Sequence, residues 1–414
     1  MKHLTRLVTG VLSASLTFGM AACSASTPST STDNSLTFWI MGDSGANFQK
    51  LTEPFTKETG IAVNVTAIPW DSVDERLTTA VASGKGPDLL QIGLTKLRQF
   101  ADAGALMKLD NELGSYPGLA ASNFADAVAG QATAVGGSIV SIPWVADTRI
   151  LYYRSDILGE AGITKPPATW EQLRKDAKTL ADRGAGQYGY YIPQWDSTLP
   201  VGMTWSHGGD IVGPKGTIDF DSAGFNKMVD VYTGLYADGS VPLNADFDQA
   251  QGFVSGMAPM LISGPYLSKM IRDAAPELDG KWNVAMIPAG TQSSTSVFLG
   301  SSLGIWATTK QKDNALKLAN FLSDPATQLK WYEIQGEIPT VKAALNDSTF
   351  TSDPMVKLYA QQLASSKVIP MVPNWDHGTG EELLNALNSI ALNGADRGTA
   401  LADLYKKTAD TSAK

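Results

Sequence analysis

One motif in the sequence could perform nucleophilic chemistry. Residues 300–304 read GSSLG and match the G-x-S-x-G pattern, with Ser302 as nucleophile, and Asp376 and His377 follow in the chain order of an α/β-hydrolase triad. That pattern requires a sharp turn from a strand into a helix. Here strand-forming residues lie on both sides of the serines, and adjacent Asp and His side chains point apart in an extended chain. We therefore expect Ser301 and Ser302 to lie in a strand with their hydroxyls near a cleft, and a serine hydrolase is the less favoured alternative.

Other groups that usually carry catalysis or bind metals are scarce. The 414 residues include three histidines, of which only His207 and His377 lie beyond the first few residues, and one cysteine. This scarcity disfavours zinc sites, Cys–His nucleophiles and c-type haem sites, so we expect no metal and no cofactor. A glycoside hydrolase would need two facing carboxyl groups, and among 41 Asp and Glu the sequence singles out no such pair.

Composition favours binding over catalysis. The chain has 10 Trp and 12 Tyr, an unusual density of aromatic rings beside so few catalytic groups. Its net charge of −9 and pI near 4.9, with no basic run, make nucleic acid and anionic membrane surfaces poor partners.

The single cysteine, Cys23, lies where a bacterial lipoprotein would be cut and lipidated. Lys2 and Arg6 precede a mostly apolar stretch that ends in MAAC, a pattern typical of a signal peptide and similar to a lipobox. We therefore predict a signal peptide over 1–22, a lipid on Cys23 as the membrane attachment, and a flexible Ser- and Thr-rich tether over 23–35.

The next residues predict an α/β fold. Strand-like runs at 36–40, 61–69 and 89–93 alternate with amphipathic helices at 47–59 and from Ser72 onward. This order indicates a largely parallel sheet. The length remaining after the tether, about 380 residues, exceeds what one core usually supports and predicts two lobes. Ligands bind outside the carboxyl ends of such strands, and a hinge can close two lobes on them.

Helix ends are signalled by capping residues. Gly60 is expected to end the first helix, and Thr169 with Gln172 forms a capping box. Asp324 followed by proline predicts another helix start, and Thr379 with Glu382 predicts a further capping box.

A series of segments runs along the chain in this order: FWIMGDSGANFQKLTEPFTKETGIAVNV, VASGKGPDLLQIG, FADAGALMKLD, IPWVADTRILYYRSDILGEAGITKPPATWEQL, GPYLSKM, FLGSSLGIWA and GEIPT. Together, and in this order, they resemble the extracellular solute-binding proteins of sugar ABC transporters, the family that includes maltose-binding protein. The resemblance implies a two-lobed, type II-like periplasmic-binding-protein fold with a hinge crossed about three times. The first lobe would comprise 36–146 and 295–342, and the second 147–294 and 343–414.

The family's chemistry explains the aromatic residues. Sugar rings stack their C–H faces on aromatic rings, and their hydroxyls bond to charged side chains at the edges. The candidate ligand-binding residues are Asp43, Asn47, Trp70, Thr95, Lys96, Asp147, Trp195, Asp196, His207, Tyr266, Ser301, Ser302, Glu337, Trp375, Asp376 and His377. Each could instead be structural: Asp147 could pair with Arg149, for example. Thr95 and Lys96 stand where maltose-binding protein has an acidic–basic pair, which leaves the hydroxyl contacts there open.

The sequence thus predicts a lipid-anchored extracellular receptor, not an enzyme. It would capture an oligosaccharide between its lobes, close on it, and present it to the permease subunits of an ABC importer. We expect a monomer that binds no nucleic acid. A non-sugar solute, such as a peptide or a polyol, remains the alternative ligand.

Overall fold

Parallel strands joined by helices begin the fold. The computed structural model describes residues 34–126, 128–130, 133–244, 247–291 and 293–412. The predicted signal peptide, Cys23 and nearly all of the tether therefore lie outside the described residues. The strands are β1 (Ser35–Met41), β2 (Ala62–Ile68), β3 (Leu89–Gly93), β4 (Ala134–Val135), β5 (Ser138–Ile139), β6 (Ile142–Thr148), β7 (Ile150–Tyr153), β8 (Met260–Ser263), β9 (Asn283–Ala285), β10 (Ser296–Ile305), β11 (Ile338–Pro339) and β12 (Ser366–Val368).

Helices cover most of the remaining chain. They are α1 (Gly45–Thr59), α2 (Val73–Ser83), α3 (Leu94–Asp102), α4 (Ser155–Glu160), α5 (Trp170–Ala181), α6 (Thr198–Ser206), α7 (Ala223–Ala237), α8 (Gln249–Val254), α9 (Tyr266–Ala274), α10 (Lys312–Leu322), α11 (Pro325–Gln335), α12 (Lys342–Leu345), α13 (Ser348–Thr351), α14 (Pro354–Ala364), α15 (Thr379–Asn393) and α16 (Arg397–Thr408). Among the described residues, no helix combines the length and the apolar character that crossing a membrane requires.

The larger sheet has the strand order β11-β6-β10-β3-β1-β2, with β12 beside β10. β1 pairs in parallel with β2 and β3, which confirms the predicted alternation of strands and helices. β10 runs antiparallel to both β3 and β6. The smaller sheet has the order β8-β7-β9. Only Arg149 separates β6 from β7, so the chain passes from one sheet to the other at that residue.

Two hydrophobic clusters form the core, and β10 contributes to both. Phe298 and Leu303 pack in the first cluster, which surrounds β1–β3 and α1, whereas Val297 and Leu299 pack in the second, around α5–α7 and α15. Successive side chains of a strand point to opposite faces, so Phe298 enters one core while its neighbours Val297 and Leu299 enter the other. The first cluster also includes Tyr152 of β7. The lobe boundaries proposed from the sequence stay a prediction.

Most predicted helix ends are confirmed. Gly60 ends α1 in the left-handed conformation, with φ of 72°, and the Thr169 hydroxyl accepts a hydrogen bond from the Gln172 N–H at the start of α5. Asp324 caps α11 in the same way. The capping box at Thr379 is wrong. Thr379 is already the first residue of α15, whose preceding residue is a glycine without a capping side chain.

Candidate ligand-binding cleft

Trp70 forms an exposed aromatic surface at the carboxyl ends of the parallel strands. It begins a short 3₁₀ turn, Trp70–Ser72, that follows β2 after the single residue Pro69. A Cβ atom added at Gly42 would lie 3.1 Å from the indole Nε1, and one at Gly93 would lie 3.3 Å from Cζ3. The ring therefore rests on the glycines that follow β1 and end β3, while 48% of the residue stays exposed. A flat ring supported by backbone in this way can stack on an apolar ligand face.

A charged cluster adjoins α2 and α3, and we call it the rim cluster: Asp74, Thr95, Lys96, Asp376 and His377. The Lys96 ammonium contacts the Asp74 carboxylate and lies 2.7 Å from Asp376 Oδ2. Thr95 Oγ1 donates to the same Asp376 oxygen at 2.9 Å, and His377 Nε2 lies 3.1 Å from Asp74 Oδ2. Burial opposes the charge of Lys96, but the two carboxylates outweigh it and raise the pKa of Lys96.

The rim cluster connects the two hydrophobic cores. Lys96, only 6% exposed, lies between Leu94 and Leu97 of the first core, and Asp376 follows Trp375 of the second. Asp74 Oδ1 is buried without a hydrogen-bond partner. The cluster therefore both joins the two halves of the molecule and leaves one buried acceptor unused.

A second cluster, the floor cluster, consists of Asp147, Arg149, Asp196, Tyr266 and Glu337. Arg149, 7% exposed, donates from Nη1 to Asp147 Oδ2 at 2.9 Å and from Nε to Asp196 Oδ2 at 2.8 Å. The pairing of Asp147 with Arg149 is the structural alternative that the sequence left open for Asp147, and the planar guanidinium holds both aspartates. Tyr266 begins α9, and its hydroxyl accepts from Ser263 Oγ at 3.2 Å.

The two aspartates of the floor cluster differ in protonation tendency. Asp196 is buried, but Arg149 and the N–H and hydroxyl of Thr198 stabilise its charge and hold its pKa below the usual range. Burial raises the pKa of Asp147, and the charge and hydrogen bond of Arg149, with the Thr148 N–H, offset this only in part. Asp147 Oδ1 is buried and has no hydrogen-bond partner. Asp147 Oδ1 and Asp74 Oδ1 are thus the two buried carboxylate oxygens of these clusters that have no hydrogen-bond partner.

Glu337 completes the floor cluster from the β11 side. Its Oε2 accepts from the indole N–H of Trp331 at 2.6 Å. Burial, assisted by the neighbouring Asp147 charge, raises the pKa of Glu337 to about 7. Asn47 of α1 donates to Gln335 Oε1 at 3.0 Å and so lies against the same segment.

The two serines of the GSSLG motif lie inside β10, as the sequence predicted. Ser302 is opposite Ile92 of β3 and Pro143 of β6, and Ser301 Oγ accepts from Gln91 Nε2 at 2.7 Å. Both serines are buried. The strand-to-helix turn of a nucleophile elbow is not present at this position, since β10 continues to Ile305.

Two predicted ligand residues are placed differently from the expectation. Trp375 is 1% exposed and its indole donates to Ser197 Oγ at 2.8 Å, so in this conformation the ring is part of the second core and offers no face to a ligand. His207 is 5% exposed at the end of α6, where Nδ1 lies 2.8 Å from the Met203 carbonyl oxygen. It lines a groove of about 670 Å³ between α5 and α7, apart from the rim and floor clusters.

The remaining candidates lie near the floor cluster and near Trp70. Trp195, next to Asp196 of the floor cluster, is 58% exposed, and Asp43 is exposed beside Gly42, on which the Trp70 ring rests. The sequence reading missed Asp74 of the rim cluster. Asp74 could have been predicted from its position four residues after Trp70, which puts it in the first turn of α2.

Replacing Trp70 by alanine is expected to weaken ligand binding about thirtyfold, because truncating a central aromatic contact costs about 2 kcal/mol. The thermal midpoint without ligand should change little, since the ring is half exposed. Isothermal titration with an oligosaccharide that stabilises the parent chain measures the effect. Tyr405→Ala, an exposed aromatic residue on α16, is the control. Equal affinities for Trp70→Ala and the parent chain would contradict this role.

Replacing Lys96 by methionine is expected to lower the free energy of unfolding by about 1–3 kcal/mol, less than for a fully buried pair because Asp376 is partly exposed. The ligand-free chain should also become more open, because the two facing aspartates then repel. Urea unfolding and small-angle scattering measure these effects. Lys330→Met, which breaks an exposed pair with Glu333, should do neither, and a Lys96→Met chain with unchanged radius would contradict the prediction.

The sequence and the fold of this chain are similar to those of known proteins. The sequence profile described as bacterial extracellular solute-binding protein matches residues 39–329. A putative binding protein of Brucella abortus is 27% identical over 88% of this chain and 89% of its own. The galactooligosaccharide-binding protein of Bacillus subtilis is 24% identical over 94% and 93%. The sugar-binding protein MalE of Xanthomonas citri superposes with a TM-score of 0.80 and 25% identity, over 90% of this chain and 96% of that one.

Proposed function

The chain belongs to the bacterial extracellular solute-binding protein family, and on that premise we propose that it binds an oligosaccharide between two lobes for an ABC importer. Its fold is the two-lobed α/β fold of MalE-like proteins. The observation that carries the ligand class is Trp70, a half-exposed indole beside a charged rim. The flat indole ring can stack on the apolar face of a sugar, and the charged side chains of the rim cluster can bond to the hydroxyls at the edge of the sugar. The names of the Bacillus and Xanthomonas relatives agree with this class.

Binding would work by closure of the cleft. Ligand favours the closed form only if it contacts that form better than the open one. The rim cluster already joins the two cores through Lys96 and Asp376, so a sugar stacked on Trp70 would add its hydroxyl bonds to an existing contact. The closed receptor, a monomer, would then dock on the permease subunits. We propose no catalytic turnover, in keeping with a family of solute-binding proteins.

Thermal unfolding of the chain from Ser24 onward, against di- to hexasaccharides, tests this function. A ligand at 100 times its Kd should stabilise the fold by about 2.7 kcal/mol and raise the midpoint by a few degrees. A shift with one linkage class, and recovery of the intact sugar, would support the receptor. No shift with any sugar would overturn the oligosaccharide proposal in favour of peptides or polyols. Recovery of a cleaved sugar would point to an enzyme.

We also propose that Cys23 carries a lipid that holds the protein at the outer face of the cytoplasmic membrane. The MAAC sequence before a Ser- and Thr-rich tether supports this proposal. Replacing Cys23 by alanine should move the protein from the membrane fraction to the medium, because no lipid can then be attached. Fractionation of expressing cells measures this, with Ser24→Ala as control. A Cys23→Ala protein that stays in the membrane fraction would refute the anchor.

A further inference from the structure

Asp147 and Glu337 lie side by side at the edge of the larger sheet. β11 pairs antiparallel with β6, with Ile338 opposite Ala146 and Pro339 opposite Val145. Extending this register by one residue puts Glu337 opposite Asp147. Residues opposite each other in an antiparallel pair share a face, with Cβ atoms about 4.5–5.5 Å apart. Their carboxyl groups are therefore neighbours, and the Asp147 charge raises the pKa of Glu337.

Negative groups outnumber positive ones around this pair. The floor cluster has three carboxyl groups, and its one cation, Arg149, is divided between Asp147 and Asp196. Tyr266 of α9 and Trp331 of α11 are uncharged. Lys269, beside Gly336, pairs with Asp273 on its own helix at 2.7 Å.

The buried acceptor that the floor cluster leaves without a partner is on Asp147. The Asp196 carboxylate accepts hydrogen bonds from Arg149, Thr198 and the Leu199 N–H, and Glu337 Oε2 accepts one from the Trp331 indole. Asp147 Oδ1 has no partner. Gly264 adjoins it: a Cβ atom there would lie 2.7 Å from this oxygen and 2.5 Å from Tyr266 Cε1. Within the described residues, no group of three or more acidic, His or Cys side chains could hold a metal ion.

We propose that the Asp147–Glu337 pair selects a ligand that carries a protonated amine, such as an amino sugar or an aminocyclitol unit. The proposal rests on the proposed function and assigns a ligand class to one part of that cleft. An ammonium group offers three donors and a positive charge to two adjacent carboxyl groups, whereas a hydroxyl offers one donor. In the empty site a proton shared by the pair limits their repulsion. The bound cation replaces that proton, which is released to solvent.

Matched sugar pairs test the proposal. Calorimetry of the chain from Ser24 onward at pH 6.5 would compare the β-1,4-linked glucosamine disaccharide with cellobiose, and the corresponding glucosamine trisaccharide with cellotriose. We expect the amine-bearing member of one pair to bind at least about tenfold tighter. Titrations in buffers with different ionisation heats should also show proton release for the amine alone.

Two variants separate the carboxyl pair from general charge. In the Glu337→Gln variant, the ratio of the Kd of the neutral sugar to the Kd of its amine-bearing counterpart should fall towards one. Glu333 is an exposed acid paired with Lys330, and the Glu333→Gln variant should retain the ratio of the parent chain. Equal binding within both pairs, or retention of the preference in Glu337→Gln, would overturn the proposal while leaving the proposed function intact. Binding only to neutral sugars outside the pairs would do the same. Failure of every oligosaccharide to bind would overturn both.

Discussion

Replacing Arg149 by methionine is expected to lower the free energy of unfolding by about 3–5 kcal/mol, the largest effect among the substitutions considered, because it leaves a buried charge without its partner. Asp196 is the residue most affected, since Arg149 is the cation that pairs with it. Urea unfolding at pH 7 measures the loss. Lys178→Met, which breaks an exposed pair with Asp182, should change stability by less than about 1 kcal/mol.

The pH dependence distinguishes lost charge pairing from lost packing. The lowered pKa of Asp196 gives the parent chain a stabilising contribution that is present above the unfolded pKa of about 3.9 and lost as pH falls through the lower folded pKa. Without Arg149, Asp196 should take up a proton at higher pH, so mild acid should reduce the stability difference between variant and parent. A constant difference from pH 8 to pH 4 would contradict the electrostatic explanation.

Replacing Glu337 by glutamine is expected to stabilise the chain by up to about 3 kcal/mol at pH 8. The folded pKa of Glu337 is raised from 4.5 to about 7, and each unit corresponds to about 1.36 kcal/mol. A carboxyl group whose pKa is raised by folding destabilises the folded state when it ionises. This destabilisation is absent below the unfolded pKa, grows as pH rises from the unfolded to the folded pKa, and is complete above the folded pKa. The amide keeps an acceptor for Trp331, so the hydrogen bond is retained.

Unfolding free energies at pH 4, 6 and 8 would test this prediction. The Glu337→Gln and parent chains should be equally stable at pH 4 and differ most at pH 8. Glu333→Gln carries the same charge change on the surface and should show no such divergence. A Glu337→Gln chain that is less stable than the parent at pH 8 would contradict the raised pKa.

Local sequence signals predicted the elements well because they depend on neighbouring residues. The strand and helix alternation from Leu36 to Gly93, the glycine that ends α1, and the caps at Thr169 and Asp324 are all confirmed. The incorrect prediction of a capping box at Thr379 also has a local cause. The chain enters α15 through Gly378, where the Gly380 N–H bonds the Trp375 carbonyl oxygen at 2.8 Å, and composition does not reveal this contact.

The candidate site was harder to predict because its contacts join distant parts of the chain. Lys96 meets Asp376 across 280 positions, and no local pattern indicates that pair. Trp375 has the Pro- and Asn-rich neighbours of a surface loop, yet Ser197 and the second core enclose it. His207 was a candidate ligand residue, but its ring contacts the Met203 carbonyl oxygen at the end of α6. Residue type suggested the chemistry of the cleft, whereas tertiary packing decided which groups reach it.

The uneven exposure of the tryptophans has a spectroscopic consequence. Of the ten, Trp70 and Trp195 are about half exposed, whereas Trp144, Trp170, Trp331 and Trp375 are buried. Water around an indole shifts its emission to longer wavelengths, so the two exposed rings contribute the red edge of the spectrum. A ligand that covers Trp70 should move the emission maximum towards the blue without any added dye. The protein would thus act as its own optical sensor for whatever solute it carries.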